Sequence, residues 1–330
     1  MINAVVVGLG WWGRHIIETL KNSDRIQVVG ATARRPDQHR DFTKEAGIDL
    51  FDNYTAAIND PRIEAVILAT PNTQHAEQIR VAAEAGKQIF CEKPLALERK
   101  AAEQIIAHTT KAGIILGIGH ERRFEPTMEE VTRLVQSEAF GTAMHIEANW
   151  SHDILSTLDN DNWRGSVEEA PAGAMTGMGV HMTDLFLSLF GQIEAVAAQS
   201  AWRVLDFPTG DVIAVLFRFV SGATGQFTAV TKTPYYCRMT VFGENMWVEA
   251  RDTKHPQYGG ETHLISCSSG SEPETRILSG TNSVKDNLHE WADAVNGRTS
   301  YRFTDEQKIG NVAVLEAVSR AAKSGAWEKV

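Results

Sequence analysis

This chain of 330 residues has little of what marks several protein classes. Its three cysteines, Cys91, Cys237 and Cys267, lie far apart, with no Cys-x-x-Cys pair and no histidine at ligand spacing. That pattern argues against a disulfide framework and predicts no metal site; the thiols read as small buried hydrophobes. No stretch approaches the roughly 20 apolar residues that cross a bilayer, and the N-terminus lacks the basic start and long apolar run of a signal peptide. A cytoplasmic protein is expected. Basic residues are in the minority, 32 Lys and Arg against 42 Asp and Glu, for a formal net charge of -10. Nucleic acid and anionic membranes attract a clustered basic excess, so neither is an expected partner. Internal repeats and low-complexity tracts are also missing.

What remains is an ordinary globular composition, 43% apolar and 22% charged. The length exceeds the roughly 100–200 residues of one domain, which predicts two. In the N-terminal part, apolar runs at 4–7, 26–32, 65–69, 88–91 and 114–118 read as strands. Segments with helical spacing at 14–21, 36–46, 74–85 and 96–111 separate them. Alternation of this kind predicts a parallel, doubly wound sheet. After Phe124 the rhythm changes. A helix is expected at 126–136, a strand at 143–151 and a helix at 178–190. Strand-like runs follow at 195–204, 212–220, 223–232, 238–242, 247–250 and 263–266, separated by short turns. They predict an α/β domain with a large, mostly antiparallel sheet, closed on one face by helices at 284–295 and 305–322. The expected domains are 1–121 and 122–330, and the loop at 160–175 is the expected substrate-side loop.

The first chemical signal is Gly8-Leu9-Gly10-Trp11-Trp12-Gly13. It follows the first strand and opens the first helix, the context in which this spacing binds a dinucleotide. One glycine makes the turn, the next lets backbone reach the pyrophosphate, and the third packs helix on strand. Amides at the helix start receive the anion. About 20 residues on, where an acid would bind the ribose diol, stand Thr32-Ala33-Arg34-Arg35. Two guanidiniums able to fork onto a 2′-phosphate favour NADP over NAD.

Three further segments complete a pattern: Ala69-Thr70-Pro71-Asn72 with His75, Glu92-Lys93-Pro94, and Gly173 through Asp184 with Gly179-Val180-His181-Met182-Thr183-Asp184. With the glycine turn, in this order and over essentially the whole chain, they resemble the Gfo/Idh/MocA oxidoreductases. The resemblance implies a Rossmann domain followed by an α/β domain with a large open sheet, frequently used for homodimer or homotetramer contacts. It implies hydride transfer between nicotinamide and a hydroxyl-bearing carbon of a small molecule. It places Trp11, Trp12, Thr70, Pro71, Asn72 and His75 along the cofactor, and Glu92 and Lys93 near the nicotinamide ribose and the reacting carbon. Arg122, Trp163 and Arg164 would approach the cofactor, while Arg123, Trp163 and Asp184 would face the substrate.

Oxidising an alcohol needs a base for the hydroxyl proton and a cation near the developing alkoxide. His181, with an ordinary pKa of about 6.5, and Lys93, at about 10.4, suit these tasks. One departure from the family pattern stands out. A carboxylate usually sits four residues before the histidine, and here that position is Gly177, with Asp184 as a substitute on the same helix face. A substrate with fewer vicinal hydroxyls, or with its own carboxylate, is therefore expected. His152, Asp153, Tyr235, Tyr236, His255 and His263 lie in segments that could border the pocket. Two other functions fit the same motifs: a glycoside-cleaving enzyme with tightly held NAD, and a non-catalytic dinucleotide-binding subunit.

Overall fold

The computed structural model describes residues 1–157, 162–254 and 260–330. Contacts along the chain divide it into two units, Met1–Glu121 with Val284–Ile309, and Arg122–Ser283 with Gly310–Val330.

The first unit is built on six strands: β1 (Ile2–Val7), β2 (Ile26–Thr32), β3 (Asp49–Phe51), β4 (Ala65–Leu68), β5 (Gln88–Cys91) and β6 (Leu116–Ile118). They form one parallel sheet in the order β3-β2-β1-β4-β5-β6. The order reverses direction at β1, the place where doubly wound sheets open a crevice at their carboxyl ends. Near-continuous apolar runs suit strands covered on both faces, and every residue of β4 is buried. Against β1 lies the helix Trp11–Leu20, which buries Gly13, Ile16, Ile17 and Leu20 at helical spacing. The short strand β3 and the helix Tyr54–Asn59, capped by the Asn53 side chain on Ala56 N, carry no long apolar run and had no counterpart in the sequence reading.

One packing expectation is corrected. The helix Ser283–Val295 does not close the second sheet. Leu288, Trp291 and Ala292 lie in the core formed by Ile2, Ala4, Val6, Ile16 and Phe90. Its apolar stripe reads the same whichever core it faces, so sequence periodicity does not choose between them. The Trp291 ring meets Phe90 edge-on at 5.6 Å, and its Nε1 donates to Ile115 O at 2.9 Å.

The second unit holds β7 (Ala143–Ser151), β8 (Ile193–Ala201), β9 (Val212–Phe219), β10 (Thr224–Val230), β11 (Tyr236–Gly243), β12 (Met246–Asp252), β13 (Glu261–Ser268), β14 (Glu274–Ser279) and β15 (Glu328–Lys329). The sheet order is β14-β13-β12-β11-β7-β10-β9-β8-β15, antiparallel except for the pair β7 and β10. Alternation sends Ile146, Ala148, Trp150, Cys237, Met239, Val241, Phe217 and Phe227 into the core. The helix Val180–Phe190 is buried almost all round, with Phe186 edge-on to Phe217 at 5.5 Å. Asn311 Nδ2 ties that helix by donating to Val180 O at 2.8 Å and Thr183 Oγ1 at 3.0 Å. Among the described residues, no helix is long and apolar enough to cross a membrane.

Candidate active site

The glycine turn has the shape that its residues predict. Gly8 stands at φ +100°, and a Cβ there would lie 2.4 Å from Ala69 O. A Cβ on Gly13 would fall 1.8 Å from Gly8 O. Both positions therefore exclude any side chain, the first also by conformation. Gly10 is different: a Cβ there meets nothing within 4 Å. It sits at the N-cap of the helix Trp11–Leu20, with no side-chain cap on the first turn. An open space above uncapped helical amides is the cradle that a pyrophosphate needs, so the residues fit a dinucleotide. Trp11 is 58% exposed and Trp12 packs on the core, their rings 5.2 Å apart.

Arg34 and Arg35 are exposed just beyond the end of β2. A third guanidinium, which the sequence reading passed over, stands by the glycine turn. Arg14 donates through Nε to Leu9 O at 3.3 Å, and its Nη2 contacts His39 Nδ1 at 3.0 Å. Burial, and then Arg14, push the His39 imidazole below its ordinary pKa.

Two motifs that are remote in sequence are joined by His75. Its Nδ1 faces Pro94 O at 2.9 Å and its Nε2 faces Thr70 O at 3.1 Å. Fully buried, the ring staples Thr70-Pro71-Asn72 to Glu92-Lys93-Pro94. Thr70 Oγ1 donates to Gln78 Oε1 at 2.6 Å, and Asn72 is buried. Glu92 is buried against Gly119, where a Cβ would come 2.5 Å from the carboxylate. Burial, with repulsion from Glu121, raises the Glu92 pKa to about 7; Trp12 and Lys93 only partly offset this.

In the second unit, the expected helix at 178–190 begins as a π-turn, Met175–Gly179, before continuing as Val180–Phe190. Such turns recur at functional sites. From residue 174 to residue 187 every position is buried except Gly177, whose missing Cβ would meet nothing within 4 Å. His181 is 3% exposed and packs on the Trp150 ring at 5.5 Å. His152, also buried, meets that indole edge-on at 6.2 Å. Its Nδ1 accepts from Ile154 N at 3.2 Å, which leaves the ring proton to Nε2 in the neutral form.

Arg123 and Asp184, both read as facing the substrate, are brought together as partners of each other in a buried ion pair. Arg122 is buried as well. Its Nη2 reaches Asp252 Oδ2 at 2.8 Å and Glu125 Oε2 at 3.2 Å, and its guanidinium lies 4.6 Å over the Trp150 ring. Trp163 and Arg164 form a short turn in which the guanidinium stacks on the indole at 4.2 Å. Tyr235 donates to Asp252 at 3.2 Å, whereas Tyr236 and Asp153 are exposed and His263 is half-buried on β13. His255, and residues 160 and 161 of the expected loop, lie outside the described residues. Trp150 and Asp252 were missed. Alternation in their strands marks both positions as inward-facing, but nothing in sequence pairs them.

Comparison with known proteins places both parts of the chain in one family. The family model for the Gfo/Idh/MocA oxidoreductases with an NAD-binding Rossmann fold matches residues 2–120, and that for the Gfo/Idh/MocA C-terminal domain matches residues 128–249. Myo-inositol 2-dehydrogenase of Thermotoga maritima is 28% identical over 247 residues, 72% of each chain. The scyllo-inositol 2-dehydrogenase (NAD(+)) of Bacillus subtilis is 29% identical over 249 residues, 71% of this chain and 68% of that one. Among solved structures, aldose-aldose oxidoreductase from Caulobacter crescentus superimposes with a TM-score of 0.86 at 23% identity, covering 100% of this chain and 99% of that one.

Proposed function

Since the chain belongs to the Gfo/Idh/MocA family of NAD(P)-dependent oxidoreductases, we propose that it is an NADP-preferring dehydrogenase or reductase. Its substrate is the hydroxyl or carbonyl carbon of a sugar, cyclitol, dihydrodiol or related small molecule, as the names of its relatives suggest. The observation that carries the cofactor reading is the open cradle at Gly10, with Arg34 and Arg35 and no acid at the end of β2. Gly8, Gly10 and Gly13 would hold the pyrophosphate, Arg34 and Arg35 the 2′-phosphate, and the segments at Thr70 and Glu92 the nicotinamide half. When bound, the dinucleotide supplies the hydride acceptor or donor.

The chain's own task is the proton. Lys93, in the first unit, carries the positive charge that stabilises an alkoxide. His181, in the second unit, takes the hydroxyl proton in oxidation and returns it in reduction. Arg123, Trp163 and Arg164 shape the surroundings. The reading is tested with a panel of sugars, cyclitols and dihydrodiols, followed at the reduced-nicotinamide absorbance with each cofactor, in wild type, Lys93→Ala, His181→Asn and Arg34→Asp. Activity should vanish in the first two variants, and Arg34→Asp should weaken NADP far more than NAD. Equal effects on both cofactors would sink the phosphate assignment.

A further inference from the structure

In the core of the second unit, one row of inward-facing residues crosses four strands. Trp150 of β7 pairs with Cys237 of β11, Cys237 with Asp252 of β12, and Asp252 with Thr262 of β13. The Arg122 side chain runs along this row. Its charge is fixed at the Asp252 end, where the carboxylate also accepts from Tyr235 at 3.2 Å and Thr262 at 3.1 Å. Burial would raise that carboxyl, but Arg122 holds it below the usual range. The central carbon of the guanidinium lies 4.6 Å over the Trp150 ring at the other end of the row. The same indole carries the His181 ring at 5.5 Å.

We propose that Arg122 and Trp150 are positioning residues for His181. The buried ion pair with Asp252 locks the guanidinium, the guanidinium locks the indole, and the indole fixes the plane of the imidazole. The imidazole meets the indole with the two ring planes tilted by 52°. A cation over an aromatic face is attracted by the ring quadrupole, more strongly when both are dry. Arginine adds a rigid plane that lysine lacks. Gly177, bearing no side chain one turn earlier, offers no carboxylate to His181. The tilted contact with Trp150 supplies orientation by packing.

The inference rests on the reading of His181 as the base, and its test separates the two. Protein labelled with ¹⁵N-histidine is compared in wild type, Trp150→Leu, Trp150→Phe and Arg122→Lys, with the His181 ring signals assigned by their loss in His181→Asn. Wild type and Trp150→Phe should show one sharp set of ring signals, while Trp150→Leu and Arg122→Lys broaden or split it. In parallel, Trp150→Leu and Arg122→Lys should lower kcat by about tenfold or more, with substrate KM and cofactor Kd within about threefold of wild type, as for a displaced catalytic group. Trp150→Phe should restore most of kcat. Arg122→Lys keeps the charge opposite Asp252 and carries the test alone if Trp150→Leu does not fold. Unchanged ring signals in Arg122→Lys would overturn the inference, and so would a loss that appears in cofactor Kd, which would make Arg122 a cofactor ligand. Full activity in His181→Asn, with ring signals that still respond, would overturn the reading of His181 and leave the packing contact standing.

Discussion

Both carboxylate oxygens of Asp184 accept from the guanidinium of Arg123, each at 2.6 Å. This bidentate geometry is the strongest an arginine makes with a carboxylate. It sits in the core, with the two side chains 8% and 3% exposed. Two residues picked separately as substrate contacts are thus joined to each other. A substrate hydroxyl reaching Asp184 would have to share an acceptor that is already strongly engaged. Gly177 therefore gains no equivalent replacement for the carboxylate of the family pattern.

The pair makes a stability prediction. Removing one partner leaves a buried charge uncompensated, at a cost of about 3–5 kcal/mol, whereas replacing both by apolar residues of similar volume is often neutral. Arg123→Met and Asp184→Leu should each lower Tm sharply, and the double variant should melt above either single one. A double variant that melts at the sum of the two losses would show that the residues do not act as a pair.

Gly13 is the most intolerant position of the cofactor cradle. Its Cβ would lie 1.8 Å from Gly8 O, and neither backbone can yield without parting the helix Trp11–Leu20 from β1. Gly13→Ala should abolish NADPH binding in a fluorescence titration and lower Tm as well. Gly10→Ala, with open space around its Cβ, should leave Tm near wild type and weaken only cofactor binding. Equal losses of Tm in the two variants would contradict the geometry.

Much of this was legible in the sequence. The glycine turn was readable because its spacing is imposed by backbone clashes at Gly8 and Gly13, and those exclude other residues outright. The alternating elements of the first unit were readable because buried parallel strands leave continuous apolar runs. Three features were not. Ser283–Val295 shows an apolar stripe but not the core it enters. The π-turn at Met175–Gly179 adds one residue to a turn without changing composition. The row of Trp150, Cys237, Asp252 and Thr262 exists only through strand register, which four separate segments set jointly.

Glu92 predicts a pH dependence. Its carboxyl has an ordinary pKa of 4.5, raised by burial to about 7 in the folded protein. Between those values the unfolded chain has released the proton and the folded chain still holds it. The unfolded state thus binds fewer protons at this site, and the contribution of Glu92 to stability falls as pH rises from 4.5 to about 7, by about 3 kcal/mol in all at 1.36 kcal/mol per pH unit. Glu92→Gln, which imitates the protonated form, should remove this slope. Cofactor-free variant and wild type should unfold alike near pH 4.5 in a denaturant titration, and the variant should be the more stable above pH 7. A difference in stability between wild type and Glu92→Gln that stays the same at pH 5 and pH 8 would show that the carboxyl does not hold its proton on folding.

Gly177 offers the most direct handle on substrate choice. It is the one exposed position between residues 174 and 187, and its Cβ direction is empty to 4 Å. A side chain placed there displaces nothing, so Gly177→Asp should fold with a Tm close to wild type despite its buried neighbours. Glycine inside a helical turn costs roughly 0.5–1 kcal/mol relative to alanine, so Gly177→Ala should even gain slightly. The new carboxylate would stand one turn before His181, where it can accept from a substrate hydroxyl or from the imidazole. Substrates with vicinal hydroxyls should then gain, with kcat/KM for myo-inositol rising about tenfold or more over wild type, the effect of one well-placed hydrogen bond to a charged group. Substrates carrying their own carboxylate should lose by like-charge repulsion. If Gly177→Asp folds normally and the ranking of the substrate panel stays as in wild type, the space at Gly177 does not face the substrate, and the choice is made elsewhere in the second unit.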